Sequence, residues 1–139
     1  HKYKSNTKLH IGPIQVLFNK TSHPIDTYSV KLESSAATLV YSSDTEYQNR
    51  LPGFSKNADA LICEASFLRG QDKGKLGHLY AYEAGRIARE ANVGNLYLFH
   101  TYPEIDKQEY VDEAKEEFIN TSYLTEGEII KLERKNKNE

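Results

Sequence analysis

Residues 77–101, Gly-His-Leu-Tyr-Ala-Tyr-Glu-Ala-Gly-Arg-Ile-Ala-Arg-Glu-Ala-Asn-Val-Gly-Asn-Leu-Tyr-Leu-Phe-His-Thr, limit the possible folds more than any other stretch of the chain. Tyr80, Ala84, Ile87, Ala88 and Ala91 recur at helical spacing and form one apolar face. Most of that face is alanine, which lets a helix lie close on a sheet. Gly94 supplies a stop, and Leu96-Tyr97-Leu98-Phe99 is an uninterrupted apolar run, as expected of a strand covered on both faces. A helix that crosses back over a sheet and feeds a returning strand brings His78, at the helix mouth, close to His100, at the strand's end. Ligands of open α/β sheets collect at the carboxyl ends of strands.

The remaining elements follow in order. Runs at 9–11 and 14–18 flank the turn signal Gly12-Pro13, and residues 28–32 alternate as a half-buried strand does. Residues 37–41 predict another strand, followed by a short helix halted before Pro52. Residues 59–65 read as a buried strand ending on an acid, and the glycine-rich loop 69–77 delivers His78. Asp106 and Glu109 predict a capping box for a helix reaching Ile119 with Tyr110, Val111, Ala114 and Phe118 inward. Residues 128–132 predict a last strand, and 133–139 a frayed charged tail. The class is α/β: a mixed sheet, strand-rich first and then alternating.

Composition removes several functions. A net charge of −2 gives no electrostatic reason to attach to nucleic acid or an anionic membrane, and no apolar run approaches the roughly 18–20 residues of a bilayer span. The lone Cys63 lies in an apolar run, so it reads as a small core residue in a reducing compartment, and the cytoplasm is the expected location. At 139 residues the chain fits one domain, yet it contains no methionine and opens on His1. This predicts a piece of something longer.

Chemistry-bearing residues gather where predicted strands end: His23, Asp44, Glu64, His78 and His100. Imidazole nitrogen and carboxylate oxygen are the donors that borderline divalent cations such as Zn2+ prefer, and one carboxylate can bridge two ions. Each residue also has a plain structural reading. His23 would serve in a turn, Asp44 as a helix cap, Glu64 in a buried ion pair and His78 as a helix-start residue. His1 and His10 read as surface residues. Arg69, Lys73 and Lys75 are a solvated charged loop before they are phosphate ligands. The tyrosines read mostly as core edges and strand faces; Tyr102 alone is a candidate stacking platform for a base.

The segments His23-Pro24-Ile25-Asp26-Thr27-Tyr28-Ser29-Val30, Tyr41-Ser42-Ser43-Asp44-Thr45, Cys63-Glu64-Ala65-Ser66, Gly77-His78 and Leu98-Phe99-His100 occur in that order. Together they resemble the second half of the metallo-β-lactamase-fold hydrolases, in the branch that includes ribonuclease Z and its smaller bacterial relatives. The likeness runs from about Lys8 to Leu132. It implies the C-terminal half of a four-layered αβ/βα sandwich, with helices on one face of the sheet. By the same likeness His23, Asp44 and His100 are metal ligands, with Asp44 bridging two ions. It further implies that His78 contacts the scissile phosphate and donates a proton, and that Glu64 is the acid supporting the site.

Three departures shape the expectation. The family's His-x-His-x-Asp-His signature, which supplies the remaining ligands, is missing, and with the absent methionine this predicts residues 1–139 to be a partial domain. Ribonuclease Z carries a long insertion between the segments matching His23 and Asp44, where this chain has only twenty residues, so tRNA is not the expected substrate. Leu79 and Tyr80 stand where small hydroxyl residues usually follow the histidine.

The expected function is therefore one half of a metal-dependent hydrolase, a phosphodiesterase acting on a small phosphodiester or nucleotide with two Zn2+ or Mn2+ ions in the complete protein. Alone, with two ligands per ion, the chain is expected to bind metal weakly or not at all and to be inactive. The expected partner is the missing N-terminal half or a second copy covering an apolar sheet face. A thioester hydrolase of the glyoxalase II kind, or a non-catalytic interaction module, are the alternatives.

Overall fold

A computed structural model describes residues 4, 5 and 7–132. The predicted tail at 133–139 and His1 lie outside the described residues. Seven strands form one mixed sheet in sequential order: β1 (Lys8–Ile11), β2 (Ile14–Lys20), β3 (Tyr28–Glu33), β4 (Thr38–Tyr41), β5 (Ala60–Glu64), β6 (Asn95–Phe99) and β7 (Thr121–Tyr123). β1 to β4 pair antiparallel, whereas β4 to β7 pair parallel. Parallel neighbours need a crossover between them. The crossovers carry the helices α1 (Arg50–Phe54), α2 (Ala81–Ala91) and α3 (Lys107–Lys115).

Register decides which face the helices cover. Val40 pairs with Leu61 and Leu61 with Leu96, while Cys63 pairs with Leu98. These five side chains are fully buried and share one core with Leu51 of α1, Ala84, Ile87, Ala88 and Ala91 of α2, and Tyr110, Val111 and Ala114 of α3. All three helices therefore lie on one side of the sheet. Burial, reinforced by the Glu64 carboxylate, pushes the Cys63 thiol up, in keeping with an inert core residue.

Several sequence expectations need correction. α1 runs through Pro52 instead of halting before it: in the first turn the missing N–H has no intrahelical acceptor to lose. α2 stops at Asn92 in the left-handed conformation (φ 52°), not at Gly94. Gly94 is needed for another reason, since a Cβ there would meet the Asp59 carbonyl oxygen at 2.5 Å. Tyr80 caps α2 and is only half-buried, so the apolar face starts one turn later.

The last correction concerns the C-terminal region. α3 ends at Lys115, short of Ile119, which is 74% exposed. Asp106 caps it by accepting from the Gln108 N–H, and the predicted partner role of Glu109 is limited to its backbone N–H on the Asp106 carbonyl. Residues 128–132 are not a strand; the edge of β6 is already taken by β7, directly after α3. Ile129, at 94% exposure, buries nothing there.

Candidate metal centre

Topology delivers the five sequence candidates to one edge. Lys20 pairs with Tyr28 and Val30 with Tyr41, so the antiparallel meander sets the β2–β3 loop beside the carboxyl end of β4. That loop carries His23. Asp44 follows β4, Glu64 closes β5, and His100 immediately follows β6. His78 arrives on the loop that leads into α2.

Hydrogen bonds stitch these loops together. Ser22 N–H donates to Thr45 Oγ1 at 3.2 Å, Glu46 N–H to the Ser22 carbonyl at 2.8 Å, and Thr27 Oγ1 to the Asp44 carbonyl at 3.2 Å. Thr45 N–H then donates to Glu64 Oε1 at 2.7 Å. Gly77 closes the other side. It sits at φ +78°, and a Cβ there would lie 2.6 Å from Pro24 Cδ and 3.0 Å from His23 Cδ2, so only glycine lets the two histidine loops touch.

Glu64 is the hub and is fully buried. A carboxylate out of water is tolerated only with its oxygens satisfied. Oε1 accepts from Thr45 N–H and lies 2.9 Å from His78 Nδ1; Oε2 accepts from Ser66 Oγ at 2.8 Å, Leu79 N–H at 3.2 Å and Ser66 N–H at 3.4 Å. A carboxylate accepts, so the imidazole donates from Nδ1 and Nε2 is the nitrogen left for other work. Glu64 meets the cluster through His78 Nδ1.

His23, Asp44 and His78 each present a donor atom within 4.8 Å of the others, and this is the group of three found among the described residues. His100 flanks it, with Nε2 3.9 Å from Asp44 Oδ1 and its ring stacked on that of His78 at 5.3 Å. The rings of His23 and His78 meet edge to face at 5.2 Å. The sequence reading gave His78 a proton donor's role and not a ligand's; in the structure its ring stands within the donor group with His23 and Asp44. Two or three imidazoles with one carboxylate form a donor set that suits a borderline divalent cation. The chain thus fits the metal that the motifs imply.

Two site positions are held against local preference. His100 (φ 56°) and Ser43 (φ 56°), beside Asp44, both lie in the left-handed region. Nothing in the sequence marks this, because neither is glycine or asparagine, and such conformations gather at functional sites. Two of the three loop cations are otherwise engaged: Arg69 pairs with Glu116 at 3.1 Å, and Lys73 pairs with Glu83 at 2.9 Å. His10 is exposed, as expected.

Comparison with known proteins identifies the family and the fold. The family described as Beta-lactamase superfamily domain matches residues 4–101. The chain belongs to this superfamily and has the metallo-β-lactamase fold. Among its superfamily relatives, the "Probable metallo-hydrolase YhfI" of Bacillus subtilis is 42% identical over 98 residues, which is 70% of this chain and 40% of that protein. The crystal structure of the metallo-beta-lactamase fold protein YhfI from Bacillus subtilis superposes with a TM-score of 0.83 at 36% identity, covering 88% of this chain and 51% of that one. The Ribonuclease Z of Thermococcus sibiricus is 45% identical over 76 residues, 55% of this chain and 25% of that protein. The chain spans roughly two fifths of the length of the curated superfamily relatives it matches over most of its own length. Among the described residues no helix is long and apolar enough to cross a membrane.

Proposed function

We propose that the intact protein is a metal-dependent phosphodiesterase, with this chain as the half that supplies His23, Asp44 and His100 as ligands and His78 as the proton donor. The observation that supports it most is the 2.9 Å bond from the His78 ring to the buried Glu64, beside the donor cluster. An imidazole held through Nδ1 by a carboxylate is a ring with one fixed orientation and one working nitrogen. The name Ribonuclease Z, borne by a relative 45% identical over 76 residues, favours a phosphodiester over other esters.

Bound divalent ions, two in the complete protein and either zinc or manganese, would polarise a phosphoryl oxygen and activate water. The chain's own residues do the rest. Asp44, within reach of His23 and His100, has two oxygens and would be the carboxylate shared by the ions. As water adds to phosphorus and the P–O ester bond breaks, the His78 ring gives its Nε2 proton to the departing oxygen while Nδ1 keeps its own proton in the bond to Glu64. The water leaves its oxygen on the phosphate product and gives up its protons to that product and to solvent, from which His78 Nε2 is reprotonated. A positioned acid of this kind contributes roughly 10²–10⁴-fold. The uncovered sheet face has its partner on the same reading: the rest of a protein of the relatives' length, or a second copy of this chain in its absence.

Metal content and hydrolysis of bis-p-nitrophenyl phosphate by the intact protein test the assignment. Asp44→Ala should lose bound metal and activity together. His78→Ala should keep its metal and lose roughly 10²–10⁴-fold in kcat. Retention of both ions by Asp44→Ala overturns the bridging role. Loss of an ion from His78→Ala makes His78 a ligand, the second reading that its proximity to His23 and Asp44 favours. Turnover of a glutathione thioester with no turnover of the phosphodiester replaces the substrate class.

A further inference from the structure

Beside the donor cluster lies a cavity of about 150 Å³ lined by Ser66, Leu76, His78, His100, Thr101 and Tyr102. It shares His78 with the cluster and His100 with the cluster's flank. A molecule whose reacting group sits at the cluster therefore places its next group here. The lining contains no carboxylate, ammonium or guanidinium, although charged groups are common nearby.

Its two aliphatic hydroxyls are already committed. Ser66 Oγ donates to Glu64 at 2.8 Å; Thr101 Oγ1 donates to the Tyr123 hydroxyl at 3.3 Å and accepts from Lys107 Nζ at 2.9 Å. Besides the imidazole nitrogens at its edge toward the cluster and the Tyr102 hydroxyl, the pocket offers an incoming group the side chain of Leu76 and the faces of rings. Tyr102 is the ring with room: it is 43% exposed, and Leu76 is 52% exposed. Its orientation is set from behind. The buried Phe67 meets it edge to face at 5.6 Å and 72°, and Lys107 Nζ holds its carbonyl at 3.0 Å.

Resting on the proposed phosphodiesterase reading, we propose that this pocket receives a flat aromatic ring carried on the phosphate ester, stacked on Tyr102. A cavity of roughly 150 Å³ is enough for a benzene-sized ring. Because the Ser66 and Thr101 hydroxyls are bonded internally and Tyr102 presents an exposed ring, the pocket selects chiefly for a flat face. It accepts aryl and nucleobase-bearing phosphates with little preference among rings, as stacking platforms do. Phosphates of small alkyl groups gain nothing from it.

Calorimetric titration of the metal-loaded intact protein with phenyl phosphate and with methyl phosphate tests this without turnover. Phenyl phosphate should bind roughly tenfold tighter or more, the range that one stacked ring provides. Tyr102→Ala should abolish that preference and leave methyl phosphate unchanged, whereas Tyr102→Phe should retain it. Equal affinity for the two phosphates, or a preference that survives in Tyr102→Ala, overturns the pocket assignment and leaves the phosphodiesterase reading standing. The converse is separable: if neither phosphate binds in a metal-dependent way while phenol still favours the unmodified protein over Tyr102→Ala, the phosphate reading fails and the pocket holds.

Discussion

The two faces of the sheet are both apolar in sequence, and the structure treats them differently. On the helix side Val40, Leu61, Cys63, Leu96 and Leu98 are fully buried. On the other side Leu39, Ile62, Tyr97 and Phe99 are half-buried, and Tyr41, Leu9 and Ile11 reach 38%, 45% and 66% exposure. Hydrophobicity alone does not separate the two sets; what separates them is which register meets a crossover helix. The division also splits the labour. One face makes the core that folds the chain. The candidate metal centre assembles at the rim, on the side of Glu64, which is two residues along the strand from Ile62 and so shares its face.

The largest expected effect breaks or upholds that contrast directly. Leu96→Ala, on the covered face, should cost about 2–5 kcal/mol in urea unfolding of the 139-residue chain, through lost burial and a residual cavity. Ile62→Ala, from the neighbouring strand's other face, should cost roughly half of that or less, because its side chain is only partly removed from water. Equal costs would show the second face to be covered, and concentration-dependent unfolding would then identify another copy as the cover.

A somewhat smaller effect sharpens the picture of how close the helical layer is packed. A Cβ on Gly85 of α2 would lie 2.3 Å from the Ala114 carbonyl oxygen of α3. Gly85→Ala should therefore destabilise by about 1–3 kcal/mol by forcing the two helices apart. Gly53 of α1 has nothing within 4 Å of its Cβ position, so Gly53→Ala should leave stability unchanged or raise it by up to about 1 kcal/mol. Similar losses from both would mean that the helix contact is not the cause.

Much of this organisation could be read from residue order, for identifiable reasons. The αβ unit at 77–101 declared itself because alanine spacing, a glycine two residues past the true helix end and a continuous apolar strand all point one way, and the stacked rings of His78 and His100 are its consequence. Strands β2 to β6 were visible as apolar or alternating runs. β7 was not: Thr121–Tyr123 is three residues long and owes its existence to the free edge of β6, a tertiary fact. At the site, residue types identified the donors, but not their support. The Glu64 hub depends on backbone N–H groups of Thr45, Ser66 and Leu79, which every sequence possesses. The Gly77 contact with Pro24 joins loops more than fifty residues apart and leaves no local trace.

The left-handed site residues give the smallest and most discriminating test of whether the rim is arranged for chemistry while the covered face is arranged for stability. His100 at φ 56° carries a Cβ where L-residues lose roughly 1–2 kcal/mol, and glycine removes that penalty while adding about 0.5–1 kcal/mol of unfolded-state entropy. His100→Gly should then raise the urea midpoint slightly, by at most about 1 kcal/mol at unchanged m-value, and weaken metal binding by the intact protein. Ser43→Gly, at the same φ but without a donor side chain of the cluster, should match the gain in stability and keep the metal. If His100→Gly instead lowers the midpoint, stacking on His78 outweighs the backbone strain, and the histidine is a packing residue that the rim keeps for its own sake. If both variants gain stability and only one loses metal, the strain at the rim is retained for binding, in contrast to a helix-covered face where every buried side chain serves the fold.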